Sequence, residues 1–152
     1  MNRILLQIAT VTVLSIFSSF MAYAQVTITS PYVRATIPGT NVSSAYMEIS
    51  NTSSKPMVLV GASAKVSDKI EIHEHVMNNG MMKMQKRDAL EIPAEGKVVL
   101  QPSGYHLMMF NLTQRLKDGE KVTLTLHFKN HEDQKIVVPV QSIKREKKAQ
   151  HH

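Results

Sequence analysis

The feature that most limits the fold is a hydrophobic alternation with a period of two residues, which runs through most of the chain. The clearest case is the segment 121–129, where four apolar residues alternate with five polar ones. Alternation of this kind is typical of a β-strand with one buried and one solvated face. Turn-forming pairs such as Asn79-Gly80 and Asp118-Gly119 separate the alternating segments. The pattern therefore predicts an all-β domain, an antiparallel Greek-key β-barrel or sandwich.

The other predicted strands follow the same pattern along the rest of the chain. They are residues 26–29, 32–35, 43–50, 57–63, 69–76, 81–86, 97–101, 105–112 and 135–141. One helical turn is predicted at 113–117. No internal repeat and no linker divides the segment 25–143, so one domain is expected.

The first 24 residues are typical of a secretory signal peptide. Arg3 precedes a mostly apolar run over residues 4–21, and Ala22-Tyr23-Ala24 is a cleavage pattern of small residues. The alternative is a transmembrane anchor, but no basic stop-transfer cluster follows the run. We predict an exported domain at 25–143, without stable membrane insertion after cleavage, and a basic, disordered tail at 144–152.

Charge and cysteine content exclude several classes of function. The net charge is +6, yet residues 25–143 carry 13 basic and 11 acidic side chains, so this domain is a poor candidate for binding nucleic acid. The chain has no cysteine, which excludes disulfides, zinc fingers, thiol nucleophiles and the blue-copper site. No set of catalytic residues can be assigned, so no enzymatic activity is predicted.

A histidine- and methionine-rich hairpin is the first candidate for a metal site. Asn79-Gly80 favours a two-residue type I′ turn between two strand patterns. That turn would pair His75 with Met84 and Met77 with Met82, and would put these four residues and His73 on one face. A three-residue turn at 78–80 would instead shift the register and move Met84 to the other face.

A second element, around residues 105–110, adds two more donors. The i, i+2 spacing of His106 and Met108 puts both on one face of a strand. Imidazole and thioether donors without thiolate or carboxylate favour Cu(I) over zinc, calcium or magnesium. The alternative is that these residues are ordinary core or surface side chains, since motif matches include false positives.

The remaining histidines and methionines receive structural assignments. His127 is expected on the solvated face of a strand and His131 in a turn. Glu74 and His75 are expected to flank the metal site, where they either orient its ligands or are solvated. Four methionines are expected to pack in the interior: Met47, Met57, Met81 and Met109.

The spacing of the candidate ligands resembles a known family signature. Ten residues separate His73 from Met84, twenty-one separate Met84 from His106, and one separates His106 from Met108. This spacing resembles the H-x10-M-x21-H-x-M pattern of the PCuAC family of periplasmic copper chaperones. The likeness extends over about 30–141. It implies a cupredoxin-like barrel, Cu(I) held by these four residues, and a periplasmic location. Histidine-rich tails of some members add a Cu(II) site, so the resemblance implies an auxiliary site at His151 and His152; the alternative is that these two histidines are a cloning remnant.

The resemblance also implies a partner. It implies copper delivery to the Cu(A) site of cytochrome c oxidase subunit II or to a thiol-bearing copper assembly protein. Three other functions stay open from the sequence: a periplasmic copper-sequestering resistance protein, a metal-free structural or adhesion domain, and a copper redox enzyme. Convergence of His73, Met84, His106 and Met108 near the surface would separate the metal-free domain from the copper-binding proteins.

Overall fold

The computed structural model describes residues 25–143, in which ten strands form. The predicted leader at 1–24 and the tail at 144–152, with His151 and His152, lie outside the described residues. The strands are β1 (Val26–Arg34), β2 (Ser43–Asn51), β3 (Met57–Ala64), β4 (Ser67–Asn78), β5 (Met81–Arg87), β6 (Leu90–Ile92), β7 (Lys97–Leu100), β8 (Tyr105–Leu112), β9 (Lys121–Phe128) and β10 (Gln134–Gln141).

Eight of the strands close into a barrel. Neighbouring strands pair in the order β4-β8-β7-β2-β1-β10-β9-β3, and β3 pairs back with β4. The remaining two strands lie outside the barrel: β5 pairs with the C-terminal part of β4, and β6 pairs with the N-terminal part of β3. Most pairings are antiparallel, while β1–β10 and β7–β8 are parallel. The predicted all-β barrel is confirmed.

Alternation decides which side chains fill the barrel and which face outward. Ile72 on β4 and Leu107 and Met109 on β8 are at most 1% exposed and belong to the apolar core. Because neighbouring residues on a strand point to opposite faces, the residues between them lie on the outer surface. This outer surface of β4 and β8 contains most of the candidate ligands.

Three details differ from the sequence predictions. The segments 26–29 and 32–35 form one continuous strand, β1, with a register shift between Thr29 and Tyr32. The three-residue strand β6 was not predicted, because so short an alternation is not distinctive. The prediction of a helical turn at 113–117 is wrong, because this segment is not helical. Distant partners hold this segment instead: the amide of Thr113 donates to the Val66 carbonyl, and that of Leu116 to the Thr36 hydroxyl.

Within residues 25–143, no helix has the length and apolar character needed to span a bilayer.

Candidate metal centre

The hairpin of β4 and β5 has the register that its turn predicts. Asn79 and Gly80 both have positive φ, 51° and 75°, as a type I′ turn requires. His75 lies opposite Met84, and Met77 lies opposite Met82. The three-residue alternative is therefore excluded, and the hairpin presents its imidazoles and these thioethers on a single face.

The other edge of β4 pairs with β8, which brings in the second element. His73 lies directly opposite His106, and Glu71 lies directly opposite Met108. Directly opposed residues share a face of the sheet. Three neighbouring strands, β5, β4 and β8, thus place Met84, His73, His106 and Met108 on one outer face.

Three imidazoles cluster at the centre of this face. The ring centroid of His106 is 5.9 Å from that of His73 and 4.9 Å from that of His75. Although it points away from the core, His106 is only 2% exposed, because the other two imidazoles and the ring of Tyr46, 6.3 Å away, cover it. Neighbouring rings therefore shield the central imidazole, that of His106, from water.

Hydrogen bonds orient two of the rings. Nδ1 of His106 lies 3.1 Å from the carbonyl oxygen of Gly104, and Nε2 of His73 lies 2.8 Å from a carboxylate oxygen of Glu71. Both partners are acceptors, so these nitrogens carry the protons and donate. In its neutral form each ring keeps a lone pair on its other nitrogen, Nε2 of His106 and Nδ1 of His73, as in histidines that ligate metals.

Two imidazole nitrogens have unmet bonding capacity. Nδ1 of His73 and Nδ1 of His75 are buried, and neither has a hydrogen-bond partner among the described residues. A buried polar atom without a partner costs about 1–3 kcal/mol. An electrophile bound at this face would remove that cost, and a metal ion fits the donor chemistry.

Local electrostatics favour neutral imidazole at the centre of the cluster. Burial lowers the pKa of His106, and the nearby His75, His73 and Arg34 lower it further, against the opposing effect of the Gly104 hydrogen bond. The hydrogen bond from His73, together with Lys69 and Lys86, lowers the pKa of the Glu71 carboxyl despite its desolvation. At neutral pH, His106 is therefore a neutral donor, and the Glu71 carboxylate that holds the His73 ring is ionised.

The two candidate thioether ligands lie on β5 and β8, the strands on either side of the imidazoles of β4. Met84 is 48% exposed, while Met108 is partly buried and its sulfur lies 3.6 Å from the hydroxyl of Ser44. Among the residues that the structure describes, no three His, Asp, Glu or Cys side chains are grouped to hold a metal ion. A metal held on this face would thus need sulfur from methionine, and soft donors select soft ions.

Two expectations about neighbouring residues need correction. The carboxylate of Glu74 lies on the other face of β4, where Arg87 Nε donates to it at 2.7 Å, so Glu71 orients the His73 ring instead. The i, i+2 spacing of Glu71 and His73 in the sequence already indicated that the two side chains share a face of the strand. Met81, expected to pack in the interior, is 60% exposed because the hairpin extends beyond the barrel wall.

Other assignments from the sequence agree with the structure. Met47, Met57 and Met109 are buried in the core. His127 lies at the surface on β9, with its ring nitrogens 2.9 Å from Ser63 Oγ and 2.9 Å from Asp133 Oδ2. His131 is exposed between β9 and β10.

Sequence comparison identifies the family. The model of the LpqE-like family, described as "Putative lipoprotein LpqE-like", matches residues 26–140. A relative from Leifsonia xyli subsp. xyli, named "Putative lipoprotein Lxx21020", is 32% identical over 103 residues, which are 67% of this chain and 62% of the relative. The chain thus matches less than two thirds of that relative's length.

Solved structures with a similar fold include PCuAC domains and the protein DR1885. The copper-bound PCuAC domain of PmoF2 has a TM-score of 0.68 at 21% identity, with 80% of this chain and 96% of that domain covered. DR1885 from Deinococcus radiodurans is 27% identical in its apo form, with a TM-score of 0.62 and coverage of 93% and 95%. Its CuI form is 29% identical, with a TM-score of 0.65 and coverage of 82% and 83%. The chain therefore belongs to the LpqE-like family and has the cupredoxin-like fold of PCuAC domains.

Proposed function

We propose that this protein is an exported Cu(I) chaperone whose cargo is held by His73, Met84, His106 and Met108. The observation that carries the proposal is the register of β5, β4 and β8, which puts all four residues on one outer face. Nδ1 of His73, which is buried and has no hydrogen-bond partner within residues 25–143, supports it. So does the likeness to DR1885, whose structure was solved in a CuI form.

The donor set suits transient binding of a soft monovalent ion. Two neutral imidazoles and two thioethers bring no negative charge, and Cu(I) accepts such donors more readily than zinc or calcium does. Met84 lies on the exposed hairpin, so one ligand can detach without disturbing the barrel. The partly exposed site can then release copper by ligand exchange, in which an incoming donor replaces a thioether.

The proposed acceptor is the Cu(A) site of cytochrome c oxidase subunit II or a thiol-bearing copper assembly protein. A chain without cysteine leaves thiolates to the acceptor, and these bind Cu(I) more strongly than thioethers do, so transfer runs towards the acceptor. The proposed location is the periplasm, and the lipoprotein name of the family supports export. The role is binding and transfer, without catalysis.

Titration with Cu(I) followed by an acceptor assay tests this function. The purified protein is titrated against a competing chelator, and the loaded protein is mixed with a soluble subunit II domain with reduced cysteines. We expect tight Cu(I) binding with nitrogen and sulfur scatterers in the copper X-ray absorption spectrum, followed by transfer to the domain. Absence of binding would contradict copper as the cargo, whereas retention against thiolate acceptors would favour sequestration.

Replacing Glu71 by glutamine is expected to weaken Cu(I) binding about tenfold without unfolding the barrel, since removing a residue that orients a ligand typically costs 10–100-fold. Glutamine keeps the size of the side chain but loses the charge that holds Nε2 of His73. Competition titration measures the affinity. The matched control is Glu74→Gln, which removes a carboxylate on the other face of β4. Equal losses in both variants would contradict the role of Glu71.

A further inference from the structure

The tip of the β4–β5 hairpin exposes an unusual amount of thioether surface. Met77 is 68% exposed and Met82 is 57% exposed. In the described part of the chain β5 pairs with β4 alone, so nothing packs against its outer edge. Contiguous exposed apolar side chains usually mark a site of interaction. Core packing does not explain these two methionines.

The register places the two thioethers where they can meet. Met77 and Met82 are directly opposed, and the Cβ atoms of such pairs lie about 4.5–5.5 Å apart. Each side chain has three rotatable bonds and a polarizable sulfur, so both sulfurs can turn towards one ion. Met81 is similarly exposed, at 60%, but it lies opposite Asn78 on the other face of the hairpin. Exposure alone therefore does not distinguish the pair, but the shared face does.

His75 supplies a third donor between this pair and the inner site. It is two residues from Met77 on the same face of β4, and its ring centroid is 4.9 Å from that of His106. Its Nδ1 is buried without a hydrogen-bond partner among the described residues. Neither the four-residue signature nor the hydrogen bonds described above give this imidazole a role.

We propose that Met77, Met82 and His75 form a second Cu(I) site at the hairpin tip, through which copper reaches the inner site. The inference shares the metal of the proposed function but uses different ligands. During transfer, the Cu–S bonds to Met77 and Met82 and the Cu–N bond to His75 break as bonds to the four inner ligands, His73, Met84, His106 and Met108, form. Copper stays Cu(I), and no proton or electron moves, because every donor is neutral before and after the step.

The test is a stoichiometric Cu(I) titration of the full chain and of a double variant, Met77→Leu with Met82→Leu. Leucine keeps the apolar volume of methionine but has no sulfur, so the hairpin should be preserved. The control is Met81→Leu, the same change on the opposite face. We expect two equivalents of Cu(I) in the wild type and in the control, and one in the double variant, with fewer sulfur scatterers around copper.

Further outcomes separate this site from the inner one. His106→Ala should lose the inner equivalent and keep the one that depends on Met77 and Met82. A single equivalent in the wild type, abolished by His106→Ala, would overturn the tip site and leave the proposed function standing. Loss of an equivalent in Met81→Leu would also overturn it. An unchanged count in the double variant, even with slower delivery to an acceptor, would overturn the metal site in favour of a protein-docking role.

Discussion

Replacing His106 by alanine is expected to lower Cu(I) affinity at the inner site by about 100-fold or more, since even partners of metal ligands contribute 10–100-fold. His106 is at the centre of the face, opposite His73 and stacked beside His75. Its ring is already held by the Gly104 carbonyl, so its free nitrogen is oriented before copper binds. No other imidazole can take its position on β8.

Competition titration measures this loss, and two variants make it interpretable. His127→Ala removes a partly exposed imidazole on β9, where Ser63 and Asp133 hold the ring. This variant should leave the affinity unchanged. His106→Gln keeps a polar side chain of similar size, and it should bind Cu(I) as weakly as the alanine variant while retaining the thermal stability of the wild type. Wild-type affinity in either His106 variant would place the ligand elsewhere.

Replacing Leu107 by alanine is expected to destabilise the fold by about 2–5 kcal/mol, the usual cost of truncating a buried leucine. Leu107 is fully buried, lies opposite Ile72 of β4 and Ala45 of β2, and separates the two candidate ligands of β8. The cavity would loosen the contact between β4 and β8 on which the arrangement of the imidazoles depends. Chemical denaturation, with the midpoint and slope analysed together, measures the change.

The control for this prediction is Val137→Ala on β10. Val137 is 61% exposed, so its truncation should cost under about 1 kcal/mol, including the loss of strand propensity. Similar losses in the two variants would contradict the prediction that burial in the core sets the cost of truncating Leu107. With Leu107→Ala, affinity measured on the folded fraction should fall less than with His106→Ala, because every proposed ligand remains.

Local patterns in the sequence were sufficient for the strands other than β6 and for the preferred turn of the hairpin. Period-two alternation depends on neighbouring residues alone, and so does the preference of Asn79-Gly80 for positive φ. These two features predicted that His75 pairs with Met84, as the structure shows. The role of Glu71 was equally accessible, because residues two apart on a strand share a face. The inclusion of Glu74 among the flanking residues overlooked that parity.

Other features depend on contacts between distant segments. Met81 has the composition of a core residue, and its exposure follows from the position of β5 outside the barrel. The segment 113–117 has no helical turn because its backbone bonds to Val66 and Thr36, which no local pattern encodes.

The sequence by itself determined the strands other than β6, the preference for a two-residue hairpin turn and the kinds of donor atom, because these follow from alternation, turn chemistry and side-chain identity within short segments. Only the tertiary structure decided that β8 pairs with β4, so that His106 lies opposite His73. It also decided that the shared face points outward and that the imidazoles on it are largely shielded from water. The physical reason is that barrel closure depends on the packing of the whole core, and a strand pattern does not specify its distant partner.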